Sequence, residues 1–198
     1  EFYKVLSEGT IYPIWAPDFN NGFGIPLFNY VYPLPNYVAS FFHFLGFSFI
    51  ASFKLNMAVA SMIGSALFFL WSRKYWGDLG GLVSSVFYTF SPYHFLDIYV
   101  RGSVGEVWAL ALFPGLLWSF YAFIQTKQRK FVLVSAVFLF LLIMSHNILA
   151  VVFFSVFLMY AIVLVFNTKN KSFYLLRLVL IIIFGFSLSA PFWLPAIL

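Results

Sequence analysis

The sequence contains no cysteine and very little charge. Its 198 residues include 11 Lys or Arg and only 6 Asp or Glu, so that charged residues make up 9% of the chain. The absence of cysteine excludes disulfide bridges and thiol chemistry. A soluble domain has roughly a quarter of its residues charged, and one of this size could not bury so much apolar surface. The shortage of charge therefore excludes an ordinary soluble protein.

Apolar and aromatic residues take the place of the missing charge. They amount to 63% hydrophobic and 24% aromatic residues, with a mean hydropathy of +0.96. Because a membrane-spanning helix needs about 20 mostly apolar residues, we predict an all-α polytopic membrane protein with about six spans. Four clear spans are expected at residues 55–72, 107–124, 148–166 and 178–198, and two shorter ones, which need flanking residues to cross, at 79–93 and 131–145.

The basic residues predict the orientation of these spans. Eight of the eleven fall in every second gap between apolar stretches: Arg73, Lys74, Lys127, Arg129, Lys130, Lys169, Lys171 and Arg177. By the positive-inside rule these gaps face the cytoplasm. The N-terminal segment and residues 91–106, 145–147 and 190–198 then face outward, together with five of the six acids and all three histidines. The outward segments are the longer ones, which indicates the working face.

The most unusual outward segment is residues 9–37, which holds five of the nine prolines. It is predicted to be a structured loop, since proline and glycine at this density prevent a regular helix. Its aromatic residues are explained either as a belt at the lipid headgroups or as a binding platform. In the second interpretation Trp15 stacks on a ligand, while Asp18 and Asn20 hydrogen-bond to it.

Residues 36–53 are apolar enough for a further span. Such a span would disturb the alternation by which the basic gaps all lie on one side of the membrane. An amphipathic helix on the outer interface fits better. We therefore predict a single membrane domain, with the outer loop and interfacial helix at 1–54 and the transmembrane bundle at 55–198. The chain opens without Met or a basic leader, and we expect it to be a fragment of a longer protein.

Three blocks of sequence carry a resemblance to a known family. They are WAPDFNNGFGIPLF with YPLPNY at residues 15–37, SPYHFLDIYVRGSVGE at 91–106, and SHN at 145–147. In order and spacing they resemble the bacterial membrane family labelled "6-pyruvoyl-tetrahydropterin synthase-related", which implies location in the bacterial cytoplasmic membrane. The label does not imply the activity, because the soluble synthase needs a zinc-binding histidine cluster and the three histidines here are scattered.

Residues 33–60 are also similar to the proline-led juxtamembrane helix and second membrane helix of GT-C glycosyltransferases. This resemblance implies transfer of a sugar from a polyprenyl-phosphate donor at the outer membrane face. It also implies a catalytic carboxylate close after the first membrane helix, which would precede residue 1. Within the chain, Asp97 and Glu106 are weaker candidates for that base. A divalent cation would balance the charge of a diphosphate donor.

The segment 95–106 concentrates charge between two apolar stretches. If residues 95–101 are helical, Asp97 and Arg101 stand four residues apart and can form an ion pair. Gly102 and Gly105 then break the helix, and Glu106 lies in the first turn of the next span, where the helix dipole favours an acid. The functional alternative is that Arg101 binds the phosphate of a lipid-linked sugar donor.

His146 and Asn147 lie in the shortest turn between two apolar stretches. They are explained either as helix caps or as ligand-facing groups, since a strongly polar residue at that depth is otherwise costly. None of the polar residues has metal-ligand spacing, and the chain has no nucleotide-binding or hydrolase motif. The net charge of +5 is explained by topology and membrane lipid, without nucleic acid.

Two hypotheses for the function remain. One is a glycosyltransferase-like enzyme acting at the outer face. The other is a non-catalytic membrane scaffold or solute transporter with ligand-binding outer loops. The clear spans have almost no ionisable residues, which favours the enzyme over the transporter. The sequence further predicts that five residues line one outward-facing cavity: Asp18, Asp97, Arg101, Glu106 and His146.

Overall fold

A computed structural model describes residues 1–197, and within that range the chain is helical, without a β-strand. Two short 3₁₀ turns, Asn20–Gly22 and Leu27–Asn29, lie in the N-terminal loop, and a π-helical turn, Leu96–Arg101, precedes α5. The α-helices are α1 (Phe2–Ser7), α2 (Pro33–Phe44), α3 (Phe49–Thr89), α4 (Pro92–Phe95), α5 (Val104–Thr126), α6 (Arg129–Ser145), α7 (Asn147–Phe166) and α8 (Lys171–Ile197).

Four helical segments of the described chain are long and apolar enough to cross a membrane. They are Phe49–Arg101, Val104–Thr126, Asn147–Phe166 and Lys171–Ile197. Helix α6 coincides with the predicted stretch 131–145, but at 17 residues it is short for a span. The chain is thus an all-helical membrane protein with several candidate spans.

Helix α3 reverses direction at Gly77. This glycine has a φ of 68°, which favours glycine over other residues. A Cβ built on Gly81 would lie 2.9 Å from the Arg73 Cα, so the two arms touch next to the reversal. Farther along, the hydroxyls of Ser65 and Thr89 are 2.5 Å apart. The two stretches predicted at 55–72 and 79–93 therefore pack as antiparallel arms.

Helix α5 forms the centre of the bundle and packs against α3, α6 and α7. Of its most apolar window 78% is buried, compared with 22–28% in the other three candidate spans. Glycine permits the close approach of its neighbours, since a Cβ at Gly115 would lie 2.5 Å from the Phe138 ring. The outer helices expose long apolar faces, as expected for surfaces that contact lipid chains.

The N-terminal loop forms a small folded cap over one end of the bundle. Its core is Phe2 against the rings of Phe28 and Tyr37, with centroids 5.0 and 4.9 Å away. Ala16 and Ile25 form an isolated antiparallel bridge. We call this end of the bundle the loop-bearing end, and the opposite end, where residues 73–78, 127–130 and 167–171 lie, the basic end.

The segment predicted as one interfacial helix, 36–53, is divided in the structure. Helix α2 ends at Phe44, Gly46 has a φ of 97°, and the Ser48 hydroxyl caps α3 by accepting from the Ala51 amide. Residues 49–53 therefore belong to the long helix. Helix α2 is held to the bundle by the buried Asn56, which donates to the Pro35 carbonyl at 2.8 Å and accepts from Trp108 Nε1 at 2.7 Å.

Candidate functional site

The candidate site is a polar cluster at the loop-bearing end, built around Arg101. Pro92 opens α4 at a position where its missing N–H is not needed. The helix then widens into the π-turn Leu96–Arg101 and stops at Gly102, which is left-handed with a φ of 60°. Single π-turns are frequent at functional sites. This turn points Asp97 and Arg101 towards the start of α5.

The Arg101 guanidinium is shared by two carboxylates. Its Nη1 donates to Glu106 Oε2 at 2.7 Å, and its Nη2 donates to Glu106 Oε1, so the contact with Glu106 is bidentate. Nη1 also donates to Asp97 Oδ1 at 3.0 Å. The predicted ion pair of Asp97 with Arg101 and the predicted place of Glu106 in the first turn of α5 are confirmed. The predicted pair is therefore part of a larger cluster.

Tyr93 is a member of the cluster that sequence reasoning missed. Its hydroxyl donates to Glu106 Oε2 at 2.6 Å and accepts from Arg101 Nη1 at 3.3 Å. The signal was present in the sequence, since Tyr93, Asp97 and Arg101 follow each other at intervals of four and so share one helical face.

Burial differs sharply within the cluster. Asp97 is 0% exposed and Glu106 is 4% exposed, whereas the Arg101 side chain is 43% exposed. Asp97 Oδ2 has no hydrogen-bond partner among the described residues. Buried carboxylates are costly without a cation, so Arg101 compensates both acids from the solvent side. Arg101 and the 44% exposed Tyr93 are therefore the members of the cluster that face solvent.

His146 and Tyr32 adjoin the cluster from the other side. His146 Nδ1 accepts from the Leu149 amide at 3.2 Å, which confirms the predicted cap of α7. The proton of the neutral ring then sits on Nε2, which faces Glu106 Oε1 at 3.8 Å. Burial lowers the pKa of His146, opposed in part by Glu106. The Tyr32 ring lies 5.0 Å from the His146 ring, and burial raises the pKa of its phenol.

The remaining residues predicted from the sequence lie outside the cluster. Asn147 Nδ2 donates to the Tyr30 carbonyl at 3.0 Å and so ties the N-terminal cap to α7. The Trp15 ring packs over Gly24, where a Cβ would lie 2.1 Å from Trp15 Nε1. Asn20 is exposed in a 3₁₀ turn, with a φ of 56°.

Asp18 is separated from the cluster, so the five residues predicted to line one cavity do not all come together. Lys4 Nζ donates to both oxygens of Asp18 at 2.7 Å, and this bond holds the pKa of Asp18 below its usual range. The other four residues, Asp97, Arg101, Glu106 and His146, do lie together. Asp18 instead holds the fold of the N-terminal cap.

An apolar pocket of about 520 Å³ borders the same π-turn. Its wall includes Lys54, His94, Ile98 and Tyr99. Phe53, also in the wall, reaches to 4.0 Å from a Cβ built on Gly102. The pocket therefore lies between α3 and the turn that carries Arg101, with a single lysine among its lining residues.

The fold and the cluster define a polytopic helical membrane protein with a capped, polar end. A family model described as "6-pyruvoyl-tetrahydropterin synthase related domain; membrane protein" matches residues 28–198. The chain belongs to this family, as its three sequence blocks predicted. No curated protein and no solved structure matches the chain. The three histidines do not converge, since His43, His94 and His146 contact Phe47, Ser91 and Leu149 respectively.

Proposed function

We propose that this chain is a glycosyltransferase-like membrane protein of the GT-C type. It would act at the loop-bearing end on a sugar linked to polyprenyl phosphate. The observation that supports this most is the half-exposed Arg101 guanidinium, held from behind by the buried Asp97 and Glu106. The resemblance of residues 33–60 to the GT-C juxtamembrane region adds to it.

Arg101 is assigned the contact with the donor phosphate. Its Nε–H and one Nη2–H make no hydrogen bond to the described residues, and its side chain is 43% exposed. A guanidinium keeps its charge at any physiological pH and matches the geometry of phosphate oxygens. Asp97 and Glu106 are positioning residues, because their burial directs them at Arg101 rather than at solvent.

The pocket beside the π-turn is assigned to the lipid part of the donor. Its apolar wall suits isoprene units, and Lys54 is the lysine in that wall, which would offer a second cation to the phosphate. A phosphate bound between Lys54 and Arg101 would leave its lipid chain against Phe53, Ile98 and Tyr99. Such a site would bind the lipid phosphate ahead of any sugar-specific contact.

One observation favours the alternative, a non-catalytic scaffold or solute transporter. Glu106 already occupies the guanidinium fork of Arg101, as in a purely structural ion pair. Under this alternative the cluster holds α4 against α5 and has no affinity for a phosphate.

Binding of a polyprenyl phosphate separates the two hypotheses. The full protein in detergent would be titrated with polyprenyl phosphate and with the uncharged polyprenol, and native mass spectrometry would measure both affinities. We expect the phosphate to bind more tightly, and Arg101→Gln to weaken it by about 10- to 100-fold, because a hydrogen bond to a charged group contributes roughly 1.5–3 kcal/mol. Transfer of labelled sugar from a panel of polyprenyl-phosphate sugars would then identify the donor.

Arg73→Gln is the matched control. Arg73 is similarly exposed at 37% and also pairs with an acid, Asp78, at 2.6 Å, but it lies at the basic end. Arg101→Lys keeps the charge and removes the planar fork, and should retain part of the affinity. Equal affinity for phosphate and alcohol, or equal loss in the Arg73 and Arg101 variants, would leave the scaffold as the better explanation.

A further inference from the structure

Two arginines at the basic end face a common pocket. Arg129 begins α6, and Arg177 lies in the second turn of α8. Together with Val132, Leu133 and Leu180 they line a cavity of about 340 Å³ between the two helices. The pocket therefore combines two permanent positive charges with an apolar floor.

Neither arginine is compensated by an acid within the part of the chain that the structure describes. The ion pairs there involve other basic residues, and the acid of the basic end, Asp78, is bound to Arg73 at 2.6 Å. The Arg177 guanidinium is held over the Phe173 ring, with its central carbon 5.2 Å from the ring centroid. Two cations that line one cavity repel each other, and an anion between them would remove that cost.

The local backbone adds to the positive potential. No side chain caps the N-terminus of α6. The Phe131 amide donates to the Gln128 carbonyl at 3.1 Å, which leaves the Arg129 and Lys130 amides for an acceptor, and the helix dipole favours negative charge there. An exposed apolar side chain lies next to these charges. Leu133 is 62% exposed and lines the pocket from α6.

We infer that this pocket binds the phosphate headgroup of an anionic phospholipid. The phosphate would lie between Arg129 and Arg177, and an acyl chain would run along Leu133 and Leu180. Basic pockets between membrane helices on the cytoplasmic side bind such headgroups. The apolar floor favours a lipid over free phosphate, which has no chain to place there. This site is at the opposite end from the Arg101 cluster and does not depend on the proposed function.

The test is a lipid titration of the full protein in detergent. Phosphatidylglycerol and phosphatidylcholine with the same acyl chains would be compared by native mass spectrometry, with inorganic phosphate as a competitor. We expect phosphatidylglycerol to bind preferentially and inorganic phosphate not to displace it. The R129Q/R177Q double variant should lose about 25-fold in affinity, because each basic residue near an anionic surface contributes about 1 kcal/mol.

The double variant K74Q/K169Q is the matched control, since it removes two positive charges from the same end but not from the pocket. A second variant, Leu133→Glu, keeps both arginines and places an acid on the pocket floor. It should lower the affinity for phosphatidylglycerol by a similar factor. Circular dichroism would verify that each variant is folded. Equal binding of the two lipids, an equal loss in K74Q/K169Q, or displacement by inorganic phosphate would overturn the assignment.

Discussion

The arginines at the two ends of the bundle pair with acids that differ greatly in burial. At the loop-bearing end Arg101 serves two acids that are almost fully buried. At the basic end Arg73 pairs with an exposed acid, Asp78, whose side chain is 75% exposed. The first arrangement is costly to break because a buried carboxylate has lost its water, whereas the second exchanges one hydrated pair for two hydrated ions. Similar distances therefore correspond to very different energies.

The largest expected effect tests that contrast directly. Arg101→Gln should lower the free energy of unfolding by about 3–5 kcal/mol, because it leaves buried acids without a cation. Arg73→Gln should lower it by at most about 1 kcal/mol. Unfolding in mixed detergent micelles, followed by circular dichroism, would measure both values. Equal costs for the two variants would contradict the difference between the ends.

A second test concerns polar groups that join helices. Asn56→Ala removes the side-chain amide and leaves its two partners, Trp108 Nε1 and the Pro35 carbonyl, without a hydrogen bond. It should cost about 2 kcal/mol or more, because each orphaned buried group costs roughly 1–3 kcal/mol. Tyr160→Phe at the basic end removes a hydroxyl that is 2.7 Å from the exposed Tyr75 hydroxyl and accepts from the half-buried Trp71 Nε1 at 3.2 Å, and it should cost about 1–2 kcal/mol. The same unfolding assay compares them, and a larger cost for Tyr160→Phe would reverse the expected order.

A third test concerns the packing behind the cluster. A Cβ at Gly105 would lie 2.3 Å from the Tyr32 ring and 2.6 Å from the Ser145 carbonyl oxygen. Gly105→Ala should therefore destabilise the protein by about 1–3 kcal/mol through overpacking. Gly22→Ala is not a suitable control, because Gly22 has a φ of 87° and an alanine there would be strained in its backbone even without overpacking. Ser155→Ala, on an exposed part of α7, should leave stability nearly unchanged in the same assay.

The smallest expected effect is a pH dependence. Because burial lowers the pKa of His146 in the folded protein, the unfolded chain binds a proton more readily. The stability from neutral His146 is complete above its ordinary pKa of about 6.5 and is lost as pH falls below it. Unfolding midpoints of the wild type and His146→Gln, compared across that range, should diverge on acidification. If the midpoints of the two proteins changed in parallel with pH, neutral His146 would not contribute to stability in this way.

The sequence predicted most of the helices and part of the cluster. Apolar stretches located α5, α6, α7 and α8, because lipid and core both select the same side chains. The spacing of Asp97 and Arg101 predicted their ion pair, because helical neighbours four residues apart meet. The same four-residue spacing places Tyr93 on the helical face of Asp97 and Arg101, a signal that sequence reasoning missed.

Contacts between distant segments could not be predicted in this way. The pairing of Lys4 with Asp18 depends on how the cap folds, and it takes Asp18 away from the cluster. The convergence of Arg129 with Arg177 likewise depends on the packing of α6 against α8. Local sequence indicated only that these residues are charged and near helix ends.

The central position of α5 bears on how the protein is made. Most of this helix is covered by protein, and two of its main neighbours, α6 and α7, follow it in the chain. During synthesis α5 therefore enters the membrane before its final surroundings exist, with Glu106 at its first turn and the already synthesised Arg101 beside it. The ion pair would then neutralise that acid during insertion, well before the bundle closes around it.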